Sequence, residues 1–187
     1  MKTKSVLSIL IFLFFQNVFS QQGIEKSVWN IQTGILGFWI SNEQQLSKEI
    51  SLRSEIGFDA GIFGGTFYDK TGFFLTPVIN VEPRWYYNIN SRISKKRNIK
   101  NNCFNFTTVS LNYHPDWFVI SNYNTKIAEQ ISIIPKWGIK RSFGNSNFIY
   151  EIGTGVGFRY YFVKQYGFSK NEVQGAIDLH LKIGYSF

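Results

Sequence analysis

The chain has 187 residues, a formal net charge of +8 and an aromatic content of 18%. Its single cysteine, Cys103, excludes an internal disulfide and a cysteine-rich metal site. The sequence contains no phosphate loop, nucleotide-binding fingerprint, metal-ligand spacing or calcium loop. We therefore expect no cofactor and no enzymatic activity, in a chain whose length suits one domain.

Residues 1–20 have the features of a cleaved signal peptide. Two lysines lie among the first four residues, residues 6–15 form an apolar run, and Ser20 is a small residue suited to the cleavage site. The apolar run is too short to span a bilayer comfortably, and no other stretch predicts a transmembrane helix. We expect export to remove residues 1–20 and to leave residues 21–187 as one domain.

Seven stretches in which polar and apolar residues alternate follow the signal peptide, and each predicts a β-strand. They cover residues 29–40, 46–63, 73–89, 104–120, 130–143, 148–163 and 173–187. In the first stretch Trp29, Ile35 and Trp39 fall on the apolar face, and we expect a polar turn at residues 42–45 to follow it. Residues 90–102 predict a basic linker.

Three prolines interrupt this pattern. Proline cannot donate a hydrogen bond to a ladder, so Pro77 and Pro83 predict a bulge or a strand end near one of them. Pro115 interrupts the fourth stretch in the same way. The sixth stretch instead carries Gly153, Gly155 and other glycines on its polar face, which we expect to leave room for long side chains from across a narrow barrel.

The closing stretch, residues 173–187, separates its two faces most completely. Asp178, His180 and Lys182 share one face, while the other face is an unbroken apolar series that ends in Tyr185 and Phe187. Only a strand keeps alternate residues apart in this way. We interpret it as the last strand of a transmembrane β-barrel with an apolar outside and a polar inside.

The predicted fold is therefore an all-β, antiparallel, up-and-down transmembrane barrel. Single-chain bacterial barrels have an even number of strands, so we expect about eight. The missing strand is expected either directly after the signal peptide or within residues 101–130. Counting back from the last strand places residues 41–45, 90–102 and 144–147 in the periplasm. It places residues 64–72, 121–129 and 164–172 outside the cell.

The signal peptide, the segment VEPRWYYNINSR and the closing IGYSF resemble small outer-membrane β-barrel proteins of Gram-negative bacteria, in the broad class of OmpA-like and OmpX-like barrels. The resemblance covers residues 29–187. It implies a monomer in the cell outer membrane, in contact with membrane lipids and lipopolysaccharide. Tyr185 and Phe187 resemble the C-terminal signal that the barrel assembly machinery recognises. The resemblance supplies no catalytic motif.

Charged residues on the inward faces form the candidate site. An eight-stranded barrel is just wide enough for its side chains, so opposite charges inside it must pair. The pattern predicts a salt-bridged lumen in a protein with a structural, surface-interaction or narrow-pore role. The predicted lumen residues are Glu49, Arg53, Glu55, Asp59, Glu82, Arg84, Lys136, Lys140, Glu151, Arg159, Asp178, His180 and Lys182.

Two other functions remain open at this point. A lipid-modifying acyl hydrolase or acyltransferase would need a histidine base, a serine nucleophile and an acid, for which His114, Ser121 and Asp116 are the candidates. A soluble periplasmic lipocalin-like barrel would have the same two faces reversed. The basic residues at positions 92–100 indicate a solvated turn or contact with anionic headgroups. Nucleic acid is not expected, because the protein is exported and the basic residues have no stacking platform beside them.

Overall fold

The computed structural model describes residues 23–66 and 69–187, so the predicted signal peptide lies outside the described residues. Within these ranges the regular structure is almost entirely β. In chain order the strands and helices are β1 (Ser27–Gly34), β2 (Gly37–Gln45), β3 (Ile50–Phe63), β4 (Gly72–Trp85), α1 (Ile89–Ser94), a 3-10 turn (Lys100–Asn102), β5 (Asn105–His114), β6 (Ile120–Ser121), β7 (Gln130–Ser142), β8 (Phe148–Tyr161), a second 3-10 turn (Val163–Tyr166) and β9 (Glu172–Ser186).

The strands form one antiparallel sheet that closes on itself. β1 pairs with β2 on one side and with β9 on the other, and the remaining order is β9, β8, β7, β5, β4, β3 and back to β2. Within the described ranges the two-residue strand β6 pairs with β4 alone. The all-β antiparallel ring agrees with the predicted fold class, and eight strands close it.

The eighth strand does not lie where we expected it. The stretch predicted as one strand over residues 29–40 is a hairpin, in which Thr33 faces Phe38 and Gly34 faces Gly37. Gly37 has a φ of 144°, and a Cβ there would lie 2.1 Å from the Phe58 carbonyl oxygen, so glycine alone suits this turn.

The hairpin turn also changes which residues face inward. Because Ile35 and Leu36 form the turn, Trp39 falls on the inner face of β2 and is buried, whereas the uninterrupted pattern placed it outside. β2 then continues to Gln45 through the predicted turn. The turn at that end is formed by residues 46–49 instead.

The prolines of β4 leave its hydrogen-bonded pairing with one neighbouring strand intact and interrupt its pairing with the other. β4 stays in register with β3 through Pro77 and Pro83, but its pairing with β5 breaks between Val81 and Arg84. Pro115 ends the fourth predicted strand, since β5 stops at the preceding residue. The third predicted strand was too long. It ends two residues after Pro83, and residue 89 lies in α1.

The two faces of the ring differ sharply in polarity. Large apolar side chains are exposed all round its outside, among them Ile56, Leu111, Ile133, Val156 and Leu179. Most inward positions of the same strands are polar or charged, and many of them are buried. None of the helices in the described ranges is long and apolar enough to cross a membrane.

An apolar cluster closes one end of the ring. Ile24, Tyr86, Ile89, Phe104 and Phe106 are buried there, and two isoleucines from the segment between β4 and β5 pack against them. The first strand starts and the last strand ends at this end of the ring, where Trp29 and Phe187 exchange backbone hydrogen bonds of 3.0 and 3.1 Å. The predicted basic linker is therefore part of a folded cap, and the interior is closed at this end.

Candidate functional site: the charged barrel interior

Two arginines that share one carboxylate occupy the centre of the interior. Arg84 donates to both oxygens of Glu151 at 2.7 and 3.0 Å, and Arg53 donates to one of them at 3.2 Å. All three side chains are buried. The arginines project from β3 and β4, whereas Glu151 projects from β8, so these contacts join opposite walls of the barrel.

The remaining oxygens of the cluster are bound as well. Arg84 donates to Glu82 at 2.7 and 2.9 Å, and Arg53 donates to Glu55, which is its nearest carboxylate. Three lysines complete the network, with Lys136 on Glu82, Lys140 on Glu43 and Lys182 on Glu55. Pairing of this kind offsets the cost of removing these charges from water, which an unpaired buried charge would bear in full.

One predicted member of this network lies elsewhere, and one member was missed. Glu49 is exposed in the turn between β2 and β3, where its carboxylate accepts a 3.2 Å hydrogen bond from the Trp85 indole. Its interior placement is therefore wrong, because the strand begins only at residue 50. Glu43 is fully buried instead, with Lys140 at 2.8 Å and the Tyr86 hydroxyl at 2.6 Å. The polar residues Ser41 and Glu43 at alternate positions were the sequence feature that could have predicted the interior placement of Glu43.

Two histidine–aspartate pairs lie above the cluster, towards the open end. His114 bonds Asp59 at 2.8 Å, and the Trp39 indole donates to the other oxygen of that carboxylate at 2.8 Å. His180 bonds Asp178 at 2.8 Å. Each pair fixes an imidazole against one wall.

The inner glycines make room for neighbours rather than for side chains from across the barrel. A Cβ on Gly153 would meet the His180 ring at 2.4 Å, and the two residues are directly paired on β8 and β9. A Cβ on Gly155 would meet Lys136, its partner on β7, at 2.5 Å. The glycines therefore let long polar side chains lie flat along the wall.

Arg159 differs from the other interior cations. Among the described residues no carboxylate pairs with it, and its one side-chain contact is a 3.4 Å hydrogen bond to the Tyr161 hydroxyl. Three buried atoms near it also have no hydrogen-bond partner in the described part of the chain. They are Thr76 Oγ1, His114 Nδ1 and Gln130 Oε1. This level of the interior is polar but incompletely bonded.

A cavity of about 800 Å³ occupies the interior between the ion cluster and the open end. Its walls include both histidine–aspartate pairs, Arg159 and the three atoms without partners. The volume lies within the range of about 300–1,000 Å³ that is usual for small-molecule sites. The interior is thus filled by charge in one half and hollow in the other.

The three residues considered for a hydrolase do not meet. His114 bonds Asp59, Asp116 accepts a 2.6 Å hydrogen bond from the Tyr166 hydroxyl, and the Ser121 hydroxyl donates to a backbone carbonyl. Tyr166 lies outside the strands, where partial burial and the Asp116 carboxylate raise its pKa. No group of acidic, histidine or cysteine side chains in the described ranges has the arrangement of a metal site.

The proposed assembly signal lies on the outer surface of β9. Tyr185 and Phe187 are both exposed, their rings are 6.1 Å apart, and Tyr185 also contacts Phe148 of β8 at 5.2 Å. The residues of the basic segment are mostly solvated. Arg92 is buried against the Asn98 carbonyl at 2.6 Å, whereas the other cations of this segment are exposed.

Comparison of the chain with protein-family models, curated proteins and solved structures finds no match. The geometry of the interior and the outer surface therefore carries the functional argument.

Proposed function

We propose that the protein is an integral outer-membrane β-barrel that serves in ligand binding or surface contact and does not conduct ions. The observation that carries this proposal is the arrangement of the two faces, with exposed apolar side chains all round the ring and ionised side chains buried inside it. Lipid is the solvent that suits such a surface, and a closed ring leaves few unpaired backbone groups in it. A soluble lipocalin-like barrel needs the opposite arrangement.

The filled half of the interior argues against a pore. The apolar cluster at one end and the arginine–glutamate cluster above it leave Arg53, Arg84 and Tyr86 almost completely inaccessible to water. A conducting lumen needs a continuous hydrated path. The hollow half, in contrast, suits ligand or surface contact. On the predicted orientation it faces the cell exterior, and the apolar cluster faces the periplasm.

Two measurements test this function. We expect the protein in the outer-membrane fraction, with a gel mobility that changes when the sample is boiled. In planar bilayers we expect no steady conductance from the folded protein. A variant that replaces Arg53, Arg84 and Glu151 together by serine removes the central cluster and shows whether the apolar cluster alone still blocks the lumen. A soluble periplasmic protein would contradict the membrane assignment, and steady wild-type conductance would contradict the closed lumen.

A further inference from the structure

The wall of the barrel has a gap on one side. The hairpin of β1 and β2 turns at Ile35 and Leu36, while both neighbouring strands continue past it. Residues 60–63 of β3 extend beyond the last pair with β2, which at 3.3 Å per residue is about 13 Å of strand. On the other side β9 pairs with β1 only from residue 182 onward.

The free edge of β9 needs a polar environment. Residues 172–181 pair with β8, but no described strand pairs with their other side. Half of the backbone N–H and C=O groups of an antiparallel strand point to each side, so this edge carries unpaired polar groups. Such groups are unfavourable in hydrocarbon unless they border water or a polar ligand.

The cavity passes through this gap. Its lining includes Asp178 and His180, which point into the barrel, and also Ile177 and Leu179, which point out of it. Adjacent residues of one strand can line one cavity only where the cavity bends round the edge of that strand. Ile177 and Leu179 are among the most exposed apolar residues, at 73% and 74%. The hollow half of the barrel is therefore open sideways as well as upwards.

The two parts of the cavity have complementary chemistry. Inside, Arg159 has no carboxylate partner among the described residues, and the unpartnered atoms of Thr76, His114 and Gln130 lie in the same wall. Outside, the lining is aliphatic, formed by residues of β9 and of the β1–β2 turn. A guanidinium without a partner favours an anion that offers oxygen acceptors, and the aliphatic strip favours an alkyl chain.

We infer that the gap between β3 and β9 binds an anionic amphiphile of the surrounding membrane leaflet, with its headgroup at Arg159 and its chain outside along β9. This inference rests on the proposed membrane location. The headgroup would border the free β9 edge, and the chain would stay among lipid. No covalent step is involved.

The test uses the full-length folded barrel in phosphatidylcholine nanodiscs and dodecyl phosphate as the probe, titrated calorimetrically. We expect saturable binding that Arg159→Gln weakens about tenfold and that Arg159→Lys largely retains, because only the first removes the charge. Arg97→Gln, which removes an exposed cation at the opposite end, is the matched control and leaves binding unchanged. Dodecyl maltoside, which lacks charge, is expected not to bind saturably.

A second readout tests the lateral position of the chain. In a Cys103→Ser background, Leu179→Cys places a thiol beside the gap and Leu111→Cys places one on the outer face of β5, which does not line the cavity. We expect dodecyl phosphate to slow maleimide labelling at position 179 and not at position 111. Inorganic phosphate, which has no chain, is expected to protect neither position.

Several outcomes would overturn the inference. Equal affinity of wild type and Arg159→Gln would remove the headgroup site, and equal protection of both thiols would remove the gap. A cross-linked dimer through β9 with no effect of dodecyl phosphate would show that a second copy covers the edge. If the barrel remains heat-modifiable in the outer-membrane fraction while binding fails, the inference alone fails. If the protein is not in that fraction, the proposed function fails first.

Discussion

Replacement of Glu151 by glutamine tests whether the central cluster is as dry as its geometry indicates. Among the described residues Glu151 is the carboxylate that accepts hydrogen bonds from both Arg53 and Arg84, and its side chain is 1% exposed. The substitution keeps the shape but removes the negative charge, so one interior cation loses its counter-charge. Breaking a buried ion pair by removing one partner destabilises a protein by about 3–5 kcal/mol. We expect Glu151→Gln to destabilise the barrel by that amount.

Glu49→Gln is the matched control, because the same chemical change is made at an exposed carboxylate. Its only side-chain contact among the described residues is the Trp85 indole at 3.2 Å. Exposed pairs contribute about 0–1 kcal/mol, so we expect a loss within that range. A double variant, Glu151→Gln with Arg84→Gln, restores the balance of charge and should recover part of the lost stability.

The assay is reversible urea unfolding in lipid vesicles, with the folded fraction measured from the mobility of unheated gel samples. A difference of 3 kcal/mol between the variants changes the folding equilibrium more than hundredfold, since each 1.4 kcal/mol is about a factor of ten. An equal loss of stability in both glutamine variants, within about 1 kcal/mol, would contradict a dry central cluster. That result would mean that water reaches the cluster and screens the uncompensated arginine.

Two further predictions concern single buried positions. Gly153→Val should destabilise the barrel by about 1–3 kcal/mol, because the valine side chain would overlap the His180 ring. Gly175→Val should not, because the space around a Cβ at that position is open. The urea midpoints of the two variants measure the difference. Cys103 is fully buried, and burial raises the pKa of its thiol, so maleimide should label the folded protein slowly and the unfolded protein rapidly at pH 7, as followed by mass spectrometry. Rapid labelling of the folded barrel would contradict the closed cap.

Much of the fold follows from the period-two pattern, and the exceptions have physical causes. A strand fixes which face each residue joins, so Arg53, Arg84 and Glu151 could be placed inside from sequence alone. The turn at residues 35–36 could not, because it lacks an Asn-Gly or Asp-Gly signal and lies within an apolar run. A missed turn assigns every later residue of that stretch to the wrong face of the strand, which explains both the outward placement of Trp39 and the omission of Glu43.

The pairing of interior charges could not be predicted for a different reason. The face of a residue depends on its parity along the strand, but its height in the barrel depends on the register of every strand between it and its partner. Glu151 meets Arg84 because three intervening ladders place them at one level. The gap beside β9 has the same origin, since it depends on where β1 ends and on nothing within β9.

The ionic interior has an explanation beyond stability. A well-packed apolar core is often as stable as buried ion pairs, so stability alone does not require this network. An apolar interior, however, would make β8 and β9 continuous apolar runs, because their outward faces are already apolar. If the protein has the proposed outer-membrane location, longer runs of that kind would resemble transmembrane helices and would hold the chain in the first membrane it crosses. Alternation of polar and apolar residues keeps each strand soluble before folding. Because the polar side chains then face the inside of a narrow ring, the ring can close only if their charges are paired. The hollow half, where the pairing is incomplete around Arg159, is the part of the interior that neither the proposed export nor closure of the ring explains.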